Sequence, residues 1–128
     1  MSIFGIGIDL LKKKRIYKFS LLKQKKLAKK ILSVNELKRF KKKKKELKKL
    51  FLSKAFTIKE AVSKAFGIGI QKGFLFKNFE IDHNYLGKPK IKLTGKPLKF
   101  FNKLKLKSIY ISLTDEKKYV LALVIIEK

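Results

Sequence analysis

Glu60 and Lys64 stand one helical turn apart in FLSKAFTIKEAVSKAFGIGI, residues 51–70. In a helix that spacing puts an acid and a base on one face. The same wheel puts Ala55, Ile58, Val62, Ala65 and Phe66 on the other side, the stripe that a core-facing helix needs, and sets Thr57 beside the polar pair. Gly67 then stops the helix and Gly69 follows, leaving backbone that a ligand can approach closely. A third chemical group, Asp9, closes IFGIGID at residues 3–9. Its alternation predicts a strand, with Phe4, Ile6 and Ile8 on one face and Ile3, Gly5, Gly7 and Asp9 on the other. Glycines weaken a strand, so something is expected to pack or bind against the bare face. Two carboxylates brought together repel and favour a shared proton or a cation. Magnesium is the economical cation, because it takes one or two carboxylates, several waters and the phosphates of a substrate. Lysines beside such a site neutralise phosphate charge, and glycine amides at 67–69 and 87–89 can cradle it. Each piece also has a plainer reading. Glu60–Lys64 reads as a surface salt bridge worth little, and Asp9 reads as the cap of a following helix.

Composition narrows the classes. A chain of 128 residues is one domain, 1–128, with room for a core. It has no cysteine, hence no disulfide or thiol chemistry, which fits a cytoplasmic location. No apolar run approaches the ~20 residues of a membrane span, and no signal-like N-terminus is present. The net charge of +26 invites a nucleic-acid-binding reading, the alternative to an enzyme. Against it, all but Arg15 and Arg39 of the 35 basic residues are lysine, whereas phosphate and base recognition favours the planar fork of arginine. The charge therefore reads as a solvated face that attracts acidic proteins and polyanions, and no specific nucleic-acid partner is expected. The lone histidine, His83, reads as an ordinary exposed residue. No Ser-His-Asp or Cys-His set, no GxxxxGK[ST] loop and no complete dinucleotide fingerprint is present.

The elements that must position these groups follow from patterning. After the strand to Asp9, residues 10–32 read as a very basic helical stretch, with Leu11, Ile16, Phe19, Leu22 and Leu27 as its apolar side. Ser33-Val34-Asn35-Glu36 is a capping box that opens a new helix through Leu37 and Phe40. Lys41 to Lys45 is a like-charge run, read as a loop or frayed turn before the central helix. Residues 79–94 read as a hairpin around NYLGKP, and Thr94-Gly95-Lys96-Pro97 opens a short helix with Leu98, Phe101 and Leu104 toward the core. Residues 108–113 and 119–126 are two more strands, the second apolar throughout and expected to be buried on both faces. The order defines an α+β domain.

The chain resembles the holo-[acyl-carrier-protein] synthases, small phosphopantetheinyl transferases. The matching pieces are GIGID with Arg15-Ile16, ILSVNE at 31–36, FLSKAFTIKEAVSKAFGIGI at 51–70, Gly73 with FEI at 79–81, LGKPKIKLTG at 86–95, and ISLTDEKKYVLALVII at 111–126. The resemblance implies a long central helix on an antiparallel sheet in a homotrimer that binds coenzyme A between subunits. It implies transfer of the 4'-phosphopantetheine arm from coenzyme A to a serine of apo acyl carrier protein, with adenosine 3',5'-bisphosphate leaving. By residue-by-residue correspondence, Asp9 and Glu60 hold Mg2+ and Lys64 neutralises the pyrophosphate. Lys54, Lys59, Gly67, Gly69, Gly87, Lys88, Pro89, Ser112 and Asp115 contact the coenzyme A, and Arg15 contacts the acidic carrier protein. A water or a carboxylate serves as base for the carrier serine. The chain departs from the family at Ala55, where relatives have arginine and Lys54 is the substitute, and also at Ile68, Lys12 and Asp115. A family member with reduced activity is a further alternative.

Overall fold

The computed structural model describes residues 2–71 and 73–128. Strand β1 (Ile3–Lys12) leads into a one-turn helix α1 (Lys14–Tyr17), then α2 (Leu21–Ile31), α3 (Val34–Lys42) and the long α4 (Lys45–Phe66). After a single 3-10 turn, Phe76–Asn78, come β2 (Phe79–His83), β3 (Pro89–Leu93), α5 (Gly95–Lys103), β4 (Ser108–Asp115) and β5 (Tyr119–Glu127). β1, β5 and β4 form an antiparallel sheet in that order, and β2 and β3 form a separate hairpin. This is the α+β domain expected, with the central helix against the sheet.

The glycines of β1 decide how that helix lies. A Cβ at Gly5 would stand 1.9 Å from the Ala65 carbonyl oxygen, and one at Gly7 would stand 1.8 Å from that of Ala61. Helix backbone therefore fills the space that side chains would occupy, and the bare strand face is packed by α4 itself. Below the helix, Leu11, Val120, Ala122, Val124 and Ile126 are buried with Leu52, Ile58, Ala61 and Val62. Phe66 stacks on Phe79 (centroids 5.9 Å apart, planes 11° apart) and meets Phe74 and Phe100 edge-on, which ties the hairpin and α5 to the end of α4. Gly67 caps α4 at φ 77°, a left-handed conformation that any side chain would strain.

Several expectations are corrected. β1 runs on to Lys12, with Asp9 paired to Ala122 and Leu11 to Val120, so Asp9 lies inside the strand and caps no helix. Residues 10–32 are the strand's end and two helices rather than one, broken before Ser20, whose side chain accepts from Lys23 N at 3.2 Å. Leu22 and Leu98 are exposed rather than core-facing. β5 is buried on one face only. Leu123 on its other face is exposed, continuous with Ile6, Ile8 and Leu10 of β1, because no layer formed by the described residues covers that side of the sheet. Among the described residues, no helix is long and apolar enough to cross a membrane.

Candidate active site

The close approach of β1 and α4 brings the distant acids together. Gly5, Gly7 and Asp9 share the strand face that α4 covers, so the packing that excludes side chains at the glycines delivers the Asp9 carboxylate to the polar edge of the helix. There Lys64 Nζ donates to Asp9 Oδ1 and to the Ile8 carbonyl, both at 3.0 Å. The pair is partly open, with the Asp9 side chain 17% exposed and that of Lys64 53%. Glu60, one turn back and half-buried, has its carboxyl pushed above the usual carboxylate range, first by burial and then by the charge of Asp9; Lys64 and Arg15 pull it down. Asp9, Glu60, Lys64 and Arg15 therefore form one electrostatic cluster. Thr57 does not join it: it is fully buried and its hydroxyl donates back to the Ser53 carbonyl at 2.6 Å.

Lys59 is the clear correction among the expected ligand contacts. It is wholly buried, and its ammonium donates to the Ile31 carbonyl at 2.6 Å, Glu36 Oε1 at 2.5 Å and the Phe76 carbonyl at 3.2 Å. All three N–H groups are used, so none is left for a substrate. Burial lowers the Lys59 pKa, and Glu36 opposes that shift. Glu36 is the partner that sequence reasoning missed. Beyond its capping-box bond from Ser33 N, it accepts from Ile81 N at 2.8 Å, so one carboxylate joins α3, α4 and β2. The signal was present in the wheel, since Lys59 falls one turn after Ala55 and one turn before Val62, in the buried stripe.

The remaining candidates divide in two. Lys54 approaches Asp115 at 3.7 Å, and Lys13 donates to Asp115 at 3.2 Å. Lys54, Gly87 and Pro89 line a cleft of about 450 Å³ together with Arg39, Lys43, Phe51, Ala55, His83 and Leu113. That size is ordinary for a ligand pocket. Its turn is held by Asn84, whose side-chain oxygen accepts from Leu86 N and Lys88 N at 2.9 and 3.0 Å, with Gly87 at φ 83°. Lys88 is exposed at the same turn. Gly67 and Gly69 have open space where a Cβ would be. Ser112 points the other way: it lies on the uncovered face of the sheet, opposite to Ile111 and Leu113, and does not face this cleft. Ala55 offers only a methyl group to the cleft, while Arg39 enters from α3; neither Arg39 nor His83 was picked out as a site residue from sequence.

A half-open helix-strand seam with two repelling carboxylates and a nearby lysine, in this topology, defines a class. The chain belongs to the 4'-phosphopantetheinyl transferase superfamily, whose family model matches residues 5–124. Within that class it is similar over its whole length to holo-[acyl-carrier-protein] synthases. The one from Wigglesworthia glossinidia brevipalpis is 46% identical over 99% of this chain and 94% of its own length. The crystal structure of the Neisseria meningitidis synthase superposes with a TM-score of 0.90 at 35% identity, covering 99% of this chain and 100% of that one. The Bacillus anthracis synthase, solved in complex with CoA (3',5'-ADP), matches at a TM-score of 0.79 and 31% identity over 98% of this chain and 96% of that one. The chain is thus a transferase of this family.

Proposed function

We propose that this chain transfers 4'-phosphopantetheine from coenzyme A to a serine of apo acyl carrier protein and releases adenosine 3',5'-bisphosphate. The observation that carries the reading is the Asp9–Glu60 pair held at the β1–α4 seam, with Glu60's carboxyl raised first by burial and then by Asp9's charge. Such a pair fits a divalent cation. Among the described residues no third His, Cys, Asp or Glu joins it, which suits Mg2+, whose remaining positions are filled by water and substrate phosphate. When bound there, Mg2+ supplies charge stabilisation at the pyrophosphate.

The chain's own residues do the rest. Asp9 and Glu60 orient the pyrophosphate side of the substrate through fixed backbone: one sits in a paired strand, the other in the middle of a 22-residue helix. Lys64, on the same helix face, exchanges its bond to Asp9 for the phosphoryl oxygens as charge develops there. The carrier serine oxygen gives its proton to a water or a carboxylate and bonds to the phosphorus that carries the pantetheine arm, and the bond from that phosphorus to the bisphosphate breaks. The cleft by Gly87 and Pro89 takes the nucleotide end. Arg15, within the electrostatic reach of Glu60, faces the acidic carrier protein, whose encounter the overall charge accelerates.

The homotrimer belongs to the same reading. Ile6, Ile8 and Leu10 are 56%, 55% and 59% exposed on one sheet face, and a contiguous apolar patch of that kind marks a protein interface. Coenzyme A then lies between subunits, so the acids and the cleft that serve one molecule need not be on one chain. A cytoplasmic location rests on the cysteine-free sequence.

Mass spectrometry of apo acyl carrier protein after incubation with this chain, coenzyme A and Mg2+ tests the reading. The expected result is a mass gain of one phosphopantetheine, lost with Asp9→Ala or Glu60→Ala. Full activity in both variants removes the acid pair from the mechanism.

A further inference from the structure

Helix α1 is four residues long and carries Arg15, the side chain assigned above to the acidic carrier protein. So short a helix does not hold its own shape, and its N-cap, Lys13, makes no capping bond through its side chain. Contacts from elsewhere in the chain fix it instead. Ile16 is buried in the core. At the start of α1, Lys13 N donates to the Lys118 carbonyl at 2.8 Å and Lys13 Nζ to Asp115 at 3.2 Å. At its end, Lys49 Nζ donates to the Tyr17 carbonyl at 2.7 Å. That carbonyl is one of the last in the helix, which have no partner inside it and which a lysine can satisfy. Lys49 is half-buried in a chain whose lysines are mostly exposed.

Lys49 also has a particular place on α4. It stands eleven residues before Glu60 in one unbroken helix. Eleven residues are close to three full turns, so the two side chains leave the helix on the same side, about 16 Å apart along the axis. One rigid rod therefore presents Glu60 to the seam with β1 and Lys49 to the end of α1. Arg15, two residues before Tyr17, is near enough for its charge to reach Glu60. Resting on the transfer reading above, we infer that Lys49 is a positioning residue. By holding the Tyr17 carbonyl it sets α1 in register with the acid-bearing helix, so that Arg15 meets a carboxylate of the carrier protein while the carrier serine reaches the phosphorus. Lys49 acts through Arg15 and makes no contact with the carrier itself.

Steady-state transfer by the wild type, Lys49→Met, Lys49→Arg, Arg15→Ala and the Lys49→Met/Arg15→Ala double variant tests this. Lys49→Met is expected to raise KM for the carrier protein about 10-fold, the scale of one charge-assisted hydrogen bond, and to leave KM for coenzyme A unchanged. Lys49→Arg, which keeps a donor for Tyr17, restores the wild-type value. Adding Lys49→Met to Arg15→Ala brings no further loss, because the group it positions is already gone. Hydrogen exchange in the free chain supplies a structural readout. The amides of Tyr17, Lys18 and Phe19, which bond back into α1, exchange faster in Lys49→Met, while those in the middle of α4 do not. Additive losses overturn the inference, since Lys49 then touches the carrier in its own right. Equal rises in both KM values overturn it as a general loosening, and so does unchanged exchange in α1. Calorimetric binding of apo acyl carrier protein separates the inference from the activity. If the wild type binds the carrier but transfers nothing, and Arg15→Ala and Lys49→Met weaken that binding without adding, the activity falls and the positioning stands. If the wild type does not bind the carrier, or Arg15→Ala binds it equally well, the positioning falls.

Discussion

Helix α4 carries two lysine–carboxylate pairs, and they have little in common beyond their chemistry. Lys59–Glu36 is 0% and 1% exposed, 2.5 Å long and closed by hydrogen bonds on every side. Lys64–Asp9 is 53% and 17% exposed, 3.0 Å long, and shares its edge of the helix with a second carboxylate that is held uncomfortably. The first pair has no capacity left for a ligand, and the second is unfinished. A buried pair whose every proton is placed fixes the relation of elements to one another; an open pair next to an unneutralised acid is where the proposed cation would sit. Position on the helix, five residues apart, is what assigns the two roles: Lys59 lies in the stripe that faces α2, α3 and the 3-10 turn, and Lys64 lies on the seam with β1.

The contrast breaks most visibly at Lys59. Lys59→Met leaves the Glu36 carboxylate buried without its cation and orphans the Ile31 and Phe76 carbonyls. A loss of about 3–5 kcal/mol is expected, as for other buried pairs cut on one side, read as a fall in the midpoint of denaturant unfolding. Activity then falls in step with the folded fraction. If Lys59→Met melts like the wild type while KM for coenzyme A rises, the lysine contacts substrate and the buried network has been misassigned.

How much of this was legible in sequence follows the same division. The stripe Ala55–Ile58–Val62–Ala65–Phe66, the capping box at Ser33 and Glu36, and the hairpin at 79–94 are local patterns, and each forms as read. The Gly5-Gly7 face was marked as one that something must fill, but which element fills it is a long-range fact. The extension of β1 to Lys12 was hidden because Leu10, Leu11 and Lys12 suit a helix, and only pairing with Leu121, Val120 and Tyr119 makes them strand. Ser112 and Asp115 come together only through the family resemblance of their segment, whereas strand alternation puts them on opposite faces. Lys59 was assigned by motif against its own place in the buried stripe. Arg39 gave no motif at all, and its place in the cleft depends on β2 presenting the Ile81 carbonyl to it.

A smaller effect sharpens the second pair. The folded state raises the Glu60 pKa, so it binds the proton more tightly than the unfolded chain does. The resulting stability is present below the ordinary carboxylate value and is lost as pH rises through the folded one. At neutral pH the ionised Glu60 is therefore a small burden on the metal-free protein. Glu60→Gln is expected to abolish transfer and yet to raise the thermal midpoint at pH 7 by the equivalent of less than about 1 kcal/mol, since the group is partly solvated. The gap from wild type closes as the pH is lowered through Glu60's titration. A Glu60→Gln protein that is less stable at pH 7 shows that the carboxylate is satisfied within the chain, and the cation is then unnecessary.

The slightest change in stability and the sharpest discrimination belong to Lys64. Its pair with Asp9 is half-exposed, so Lys64→Met is expected to alter unfolding free energy by no more than about 1 kcal/mol. Two consequences follow from its position. It occupies the Asp9 oxygen that a cation would use, and it lowers the pKa of Glu60. Removing it takes away both a competitor and a repelling charge, so the acid pair becomes more negative and Mg2+ binds more tightly in the absence of coenzyme A. Removing it also takes a positive charge from the phosphoryl group in flight, so turnover falls by about 10²–10³. Tighter metal binding with slower transfer is a combination that no surface salt bridge produces: loss of an ornamental pair changes neither quantity. Titration of metal-free wild type and Lys64→Met with Mg2+ by calorimetry, beside their turnover numbers, reads both at once. If metal affinity weakens together with turnover, Lys64 acts by holding Asp9 in place rather than by serving the phosphate.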